Sequence, residues 1–241
     1  MSNGIAAPVD VSTQPAVSVP GARIFDARTF DEAYFTSASN YAGKYDRYNP
    51  EHKIAGYLRE IRQLRPNGTL LDVGCAFGRL LRAAHEHYTC EGVDISAYAL
   101  GRARQKAPDI PLYRSSIQDF QPGRTYDVVT CFDVLEHVPD LDQALGRLRS
   151  LMAPGGILAM AVPVYDSPLG WLFGLIDRDP THVHRFTRED WLRRLGAARF
   201  DPIVFKGILR APLPGYFVHA ISPVFRYVSS AIFVVSRIRK K

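Results

Sequence analysis

Residues 70 to 78 read Leu-Leu-Asp-Val-Gly-Cys-Ala-Phe-Gly, and a further acid, Asp94, stands twenty positions after Gly74. Leu70 to Val73 form an apolar run closed by glycine, which suits a strand buried on both faces of a parallel sheet. Gly74 and Gly78 let the backbone turn tightly and approach a ligand where a side chain would collide. A strand, a glycine turn and an acid at the end of the next strand together describe a cofactor crevice. The alternative is a structural strand–turn–helix with an incidental Asp94.

What the turn lacks narrows the cofactor. Dinucleotide folds use three glycines as G-x-G-x-x-G, and phosphate-cradling loops use G-x-x-x-x-G-K-[ST]. Here Gly74-Cys75-Ala76-Phe77-Gly78 has no middle glycine and no lysine after it. Phosphate binding is disfavoured.

With 241 residues and 46% hydrophobic content, the chain can bury one full core, and a single embellished domain is expected. No apolar run is long enough to span a bilayer and the N-terminus has no signal-like pattern, so a cytoplasmic location is expected. Cys75, Cys90 and Cys131 form no C-x-x-C pair, which disfavours a zinc site or a disulfide framework. Residues 1–176 hold 17 Lys or Arg against 19 Asp or Glu, whereas 177–241 hold 13 against 5. The net charge of +6 therefore comes from the last quarter, as either a solvated basic face or a surface for an anionic partner.

Residues 1–22 lack helical or strand period and read as a disordered leader, and residues 23–68 as a cap and helix. That cap holds Phe25, Tyr34, Phe35, Tyr41, Tyr45 and Tyr48, and its helix runs through Ile54, Tyr57, Leu58, Ile61 and Leu64. From residue 69, strand and helix signals alternate. A helix through Leu80, Leu81 and Ala84 leads to the strand ending at Asp94, and Ser96 caps the next helix. Short and long strands follow at Pro111 to Arg114 and from Tyr126. Asp140 caps a helix with Leu141, Leu145, Leu148 and Met152 on one side, which Gly155-Gly156 release into Ile157 to Pro163. Thr187 and Asp190 form a capping box with a Phe186–Trp191 staple, and Ile203 to Phe205 and Ala231 to Val235 are the last strands. Repeated βα units of this length imply an α/β, doubly wound, mostly parallel sheet. Segments near 163–186 and 209–230 fall outside the pattern as insertions, and substrate choice is expected there.

Leu-Asp-Val-Gly-Cys-Ala-Phe-Gly, Asp94, Tyr126-Asp-Val-Val with Leu135-Glu-His-Val, and Ala153-Pro-Gly-Gly together resemble class I S-adenosylmethionine-dependent methyltransferases, in particular the small-molecule branch with the ubiquinone-pathway O-methyltransferases. The resemblance covers about Thr69 to Pro163 and implies a Rossmann-like, seven-stranded sheet whose last two strands form an antiparallel edge hairpin. It implies S-adenosyl-L-methionine as cofactor, with Asp72, Gly74, Cys75, Ala76, Gly78, Asp94, Ile95, Ser116, Ile117 and Cys131 as the binding residues. Asp94 would receive the ribose hydroxyls. Ser116 stands where the family commonly has an Asp for the adenine amino group, so adenine would be held less firmly.

Methyl transfer needs the protein to position the acceptor, exclude water and take a proton. Cys131-Phe132-Asp133-Val134 stand where amide- and adenine-methylating enzymes have an N-P-P-Y-like tetrapeptide, which favours an oxygen acceptor. His137, His182 and His184 are the candidate bases. Asp133-x-x-Glu136-His137 also resembles the E-x-x-E-H metal set of small-RNA 3′-end 2′-O-methyltransferases; a structural role for these residues is the weightier expectation, and no metal is assigned. A small-molecule acceptor is expected, with peripheral contact to an anionic membrane through Trp171 to Ile176 and Tyr216 to Phe225; the other roles for these apolar groups are a lid over a hydrophobic acceptor and a joint auxiliary core. Nucleic acid is disfavoured as a partner because no RNA-binding motif is present. RNA 2′-O-methylation and a non-catalytic cofactor-binding scaffold are the alternative functions, and the oligomeric state is left open.

Overall fold

The computed structural model describes residues 28–38, 45–177, 179–213 and 216–240. The leader at 1–22, with Phe25 and Tyr41 of the cap, lies outside the described residues. Among the described residues, eight strands form one sheet: β1 (Gly68–Val73), β2 (Tyr88–Asp94), β3 (Leu112–Arg114), β4 (Tyr126–Phe132), β5 (Met152–Pro163), β6 (Phe200–Leu213), β7 (Tyr216–Ser222) and β8 (Ala231–Ile238). Their order is β3-β2-β1-β4-β5-β8-β6-β7. Pairing is parallel from β3 to β5 and antiparallel from β5 through β8 and β6 to β7. The order reverses between β1 and β4, and the carboxyl ends flanking such a reversal form the crevice where ligands of open α/β sheets bind.

Alternate residues of the central strands serve opposite faces. Leu71, Val73, Val129 and Cys131 pack with Leu141, Leu145 and Leu148 of α5 (Leu141–Ser150) and with Trp191 and Leu195 of α7 (Arg188–Ala197). Leu70, Val128 and Phe233 pack with Tyr57 and Ile61 of α2 (Glu51–Arg62) and Leu80 and Leu81 of α3 (Arg79–Ala84). Two covered faces explain why these strands read as continuous apolar runs. Ser96 caps α4 (Ala97–Lys106), Asp140 caps α5, and Thr187 and Asp190 form the reciprocal box of α7. Phe186 meets Trp191 edge-on at 5.2 Å.

Three expectations need correction. The sheet has eight strands rather than seven, because the second insertion extends β6 and adds β7 in register with it, Arg210 opposite His219. β8 lies between β5 and β6, so the edge belongs to β7. Helix α5 stops at Ser150, and Met152 opens β5, whose register shifts against β4 between Tyr126 and Val128.

The cap comprises a π-helical turn (Tyr34–Ala38), α1 (Tyr45–Tyr48) and α2. Tyr34 and Phe35 pack with Phe77 of the glycine loop and Ala99, so the cap closes onto the crevice. The first insertion carries α6 (Pro168–Ile176). Among the described residues, the apolar groups of the two insertions do not form the joint auxiliary core held as an alternative: Phe217 of β7 packs on Tyr48, while Trp171, Leu175 and Ile176 of α6 are 65%, 63% and 63% exposed.

Candidate active site

The glycine loop is drawn onto the end of β2 by two backbone donors, Gly74 N–H at 2.8 Å and Cys75 N–H at 3.2 Å, sharing the Val93 carbonyl. Asp94 completes the hold: its Oδ2 accepts the Ala76 N–H and its Oδ1 the Ser96 N–H, both at 2.8 Å. Gly74 sits at φ +70°, where a Cβ would overlap Val134 Cγ2. At Gly78, φ +69°, a Cβ would press on that of Ala103 at 3.1 Å. Both glycines are thus required by the protein's own packing, ahead of any ligand.

A cavity of about 240 Å³ opens over this loop. Asp72, Gly74, Cys75, Ala76, Asp94, Ile95, Ser116 and Ile117 line it, as do Lys53, Tyr57, Asp133, Val134 and His137 and the cap aromatics Phe30, Tyr34, Phe35 and Tyr45. Gly78 and Cys131 do not: Gly78 is the N-cap residue before α3, and Cys131 is buried within β4. Ser116 spends its hydroxyl proton on Asp119 Oδ2 at 2.6 Å. Burial lifts the Asp72 carboxyl to about 7, helped by the charge of Asp94 and opposed by the Thr130 hydroxyl that donates to it at 2.7 Å.

The three histidines part company. His137 lines the cavity, and its Nδ1 lies 2.8 Å from Thr181 Oγ1, whose hydroxyl donates to Asp179 Oδ1 at 2.5 Å. With that one proton committed, His137 Nδ1 must be the donor, which leaves Nε2 as the accepting nitrogen. Burial and the neighbouring His182 push its pKa down to about 4. The His182 ring lies tilted beside it at 4.8 Å, outside the cavity wall, and bonds Asp177 through Nδ1 at 2.7 Å. Burial works against charge on His182, but Asp177, Glu136 and Asp179 outweigh it and raise the pKa. His184 is turned away, with Nε2 donating to the Val138 carbonyl at 2.8 Å and its ring stacked on Phe186.

Glu136 is buried with one oxygen lacking any hydrogen-bond partner, and burial together with Asp133 lifts its pKa to about 8. Among the described residues, Glu136, His137 and His182 bring ligand atoms within 4.8 Å of one another. Asp133, which the spacing offered as a further ligand, is engaged elsewhere. It takes up a left-handed conformation at φ +55° and accepts from Lys53 Nζ at 3.1 Å and Arg210 Nη2 at 2.8 Å. Burial alone would raise its pKa, but the two cations hold it well below the usual carboxylate range.

A methyltransferase-domain family profile matches residues 44–203. The chain belongs to this family. It is an S-adenosylmethionine-dependent methyltransferase. The chain is 31% identical over 207 residues to the ubiquinone biosynthesis O-methyltransferase of Paramagnetospirillum magneticum, covering 75% of this chain and 78% of that one. It is 36% identical over 106 residues to the dTDP-3-amino-3,6-dideoxy-alpha-D-glucopyranose N,N-dimethyltransferase of Streptomyces fradiae, 42% of each chain. The fold matches a methyltransferase of Thermotoga maritima with a TM-score of 0.64 at 16% identity, covering 83% of this methyltransferase and 97% of that chain.

Lys53 and Arg210 escaped the sequence reading. Lys53 lies eighty positions before its partner, and Arg210 sits in the segment near 209–230 read as an insertion. Pro214-Gly215 between two strand-like runs was the signal for the hairpin that carries it.

Proposed function

We propose that this methyltransferase acts on an oxygen of a small-molecule acceptor and that His137 takes the acceptor's proton. The observation that carries the reading is a single cavity lined both by the glycine loop with Asp72 and Asp94 and by the neutral imidazole of His137. S-adenosylmethionine supplies an electrophilic methyl group on a sulfonium sulfur. The donor set suits it: each Asp94 oxygen retains a lone pair for a ribose hydroxyl, and Asp72 is poised to pair with the ammonium of the amino-acid end. Ser116 and Ile117 border the space for the base. His137 Nε2 would take the proton that the acceptor oxygen gives up on receiving the methyl group. Thr181 and Asp179 hold the ring's orientation through Nδ1. The cap aromatics exclude water.

The scaffold alternative would gain if the space over Asp133 to His137 were plugged, whereas Asp133, Val134 and His137 border the cavity. Incubation with methyl-labelled S-adenosylmethionine and pooled hydroxyaryl compounds, amino sugars and RNA tests the reading. Label in an O-methylated small molecule is expected; label only in amine or RNA products would replace it.

Two further readings rest on specific observations. The unpartnered Glu136 oxygen beside His137 and His182 gives an N₂O donor set suited to zinc or manganese, which would acidify a bound hydroxyl. His182 would first have to release the proton that Asp177 favours. Peripheral docking on anionic lipid is supported by the outward apolar face of α6 with Arg185 beside it, reaching the Gly174 carbonyl. Among the described residues no helix is long and apolar enough to cross a membrane.

A further inference from the structure

Two cations share one carboxylate at the acceptor end of the cavity. Lys53 is only 5% exposed, yet its Nζ reaches Asp133 at 3.1 Å and Asn49 Oδ1 at 3.0 Å, and the residue lines the cavity. Arg210 Nη2 bonds Asp133 and, at 2.9 Å, the hydroxyl of Tyr57, another lining residue. Asp133 is the one carboxylate either cation touches among the described residues. Arg210 Nε is buried without a hydrogen-bond partner. Burial pulls the Lys53 pKa down, as does the neighbouring Arg210, while Asp133 and Glu136 push it up; burial together with Arg210 and Lys53 holds the His219 pKa down to about 2.

A buried charge without a counterion is costly, and a second cation adds nothing to holding one carboxylate that an apolar side chain would not supply more cheaply. The extra positive charge is explained when a ligand brings the missing negative one. The placement has the same sense: the extension of β6 and β7, the chain's own addition to the sheet, bring Arg210 behind Asp133 and Tyr57 of the cavity lining, with Ile221 and His219 of β7 packed on Gly56 of α2.

We propose that the acceptor carries an anionic oxygen group, a carboxylate or a phosphate, that pairs with Lys53 and Arg210. The inference rests on the small-molecule O-methyl transfer proposed above. The guanidinium suits paired recognition of two anionic oxygens, and the ammonium adds a third donor. An anion there also fixes which hydroxyl of the acceptor reaches the methyl group.

The full chain saturated with S-adenosylhomocysteine is titrated calorimetrically with catechol, 3,4-dihydroxybenzoate and phenyl phosphate. At least one anion is expected to bind about tenfold or more tightly than catechol, and comparison of the two anions separates carboxylate from phosphate. Lys53→Met and Arg210→Met abolish that preference, and Arg210→Lys retains part of it. Asp133→Asn, which suits the left-handed conformation and releases both cations, strengthens anion binding several-fold, an outcome that a purely structural ion cluster does not give. Equal affinity of the wild type for catechol and both anions, absence of anion binding, or a preference that survives in both Met variants overturns the proposal. Failure of the wild type to bind S-adenosylhomocysteine at all would instead overturn the methyl-transfer reading beneath it.

Discussion

Asp94 holds Ala76 in place: the carboxylate accepts the Ala76 N–H at 2.8 Å, and Ala76 sits at φ +45°, a conformation that residues with a Cβ avoid. The acid expected to receive a ribose is therefore also the clamp on the loop beneath that ribose. Asp94→Ala removes both functions. Each charge-assisted bond is worth about 1.5 to 3 kcal/mol, so affinity for S-adenosylhomocysteine should fall roughly 100-fold or more, with a lower melting temperature even in its absence. Asp94→Asn, which keeps one accepting oxygen, should lie between. Calorimetric affinity unchanged in the Ala variant would refute the assignment.

Asp72 yields a pH prediction. Its carboxyl keeps its proton up to about 7 in the folded chain and loses it near 3.8 when unfolded. Across that window the native state binds more protons than the unfolded one, so this group's contribution to stability falls as pH rises from about 4 towards 7. Asp72→Asn should flatten that part of the melting-temperature profile. Binding at pH 6 of a ligand whose ammonium pairs with Asp72 should release a proton, measured as a dependence of the apparent enthalpy on buffer ionisation. The same proton count in Asp72→Asn would show that another group is responsible.

The histidines should separate in kinetics as they do in space. His137→Gln should lower kcat by about 100-fold or more with cofactor affinity nearly intact, since it removes the cavity's imidazole base. His184→Phe should keep turnover and lose some thermal stability, because it forfeits the bond to Val138. Turnover unaffected in His137→Gln would move the base elsewhere or mean that the acceptor arrives ionised. A chelator tests the N₂O set independently: activity lost and then restored by zinc or manganese would support a metal there.

How legible the molecule was follows from the range of each interaction. The strand–turn–acid of residues 70 to 94 encodes its contacts within one βα unit, so Asp94 and the loop could be found from spacing. Gly74 was found for an incomplete reason, because Val134, the residue its missing Cβ spares, lies sixty positions away. His182 and His184 alternate in one short segment, and the sequence gives no sign that one meets Asp177 while the other meets Val138. The cluster of Lys53, Asp133 and Arg210 joins α2, the end of β4 and β6. Such a contact exists only once the sheet order is known, and that order was the part of the fold read least completely.

Helix α6 leaves a test that its own tryptophan can report. The chain has two tryptophans, and Trp191 is fully buried against the Pro163 carbonyl, so an environmental change at the surface will come from Trp171. Trp171, Leu175 and Ile176 face solvent, as do Val224 and Tyr227 near the chain that Ser167 ties to α6 through the Ser229 carbonyl. If this surface docks on lipid, vesicles rich in phosphatidylglycerol should sediment the protein and shift Trp171 emission to the blue, whereas neutral vesicles should do so weakly. Surface attraction is screened over about 8 Å at physiological ionic strength, so the electrostatic part should fade as salt is raised. Leu175→Ser with Ile176→Ser should cut partitioning about tenfold or more while leaving the circular dichroism spectrum unchanged, because these side chains contribute little to the core. Equal binding to neutral and anionic vesicles, or anionic binding untouched by the double substitution, would reject α6 as the docking element.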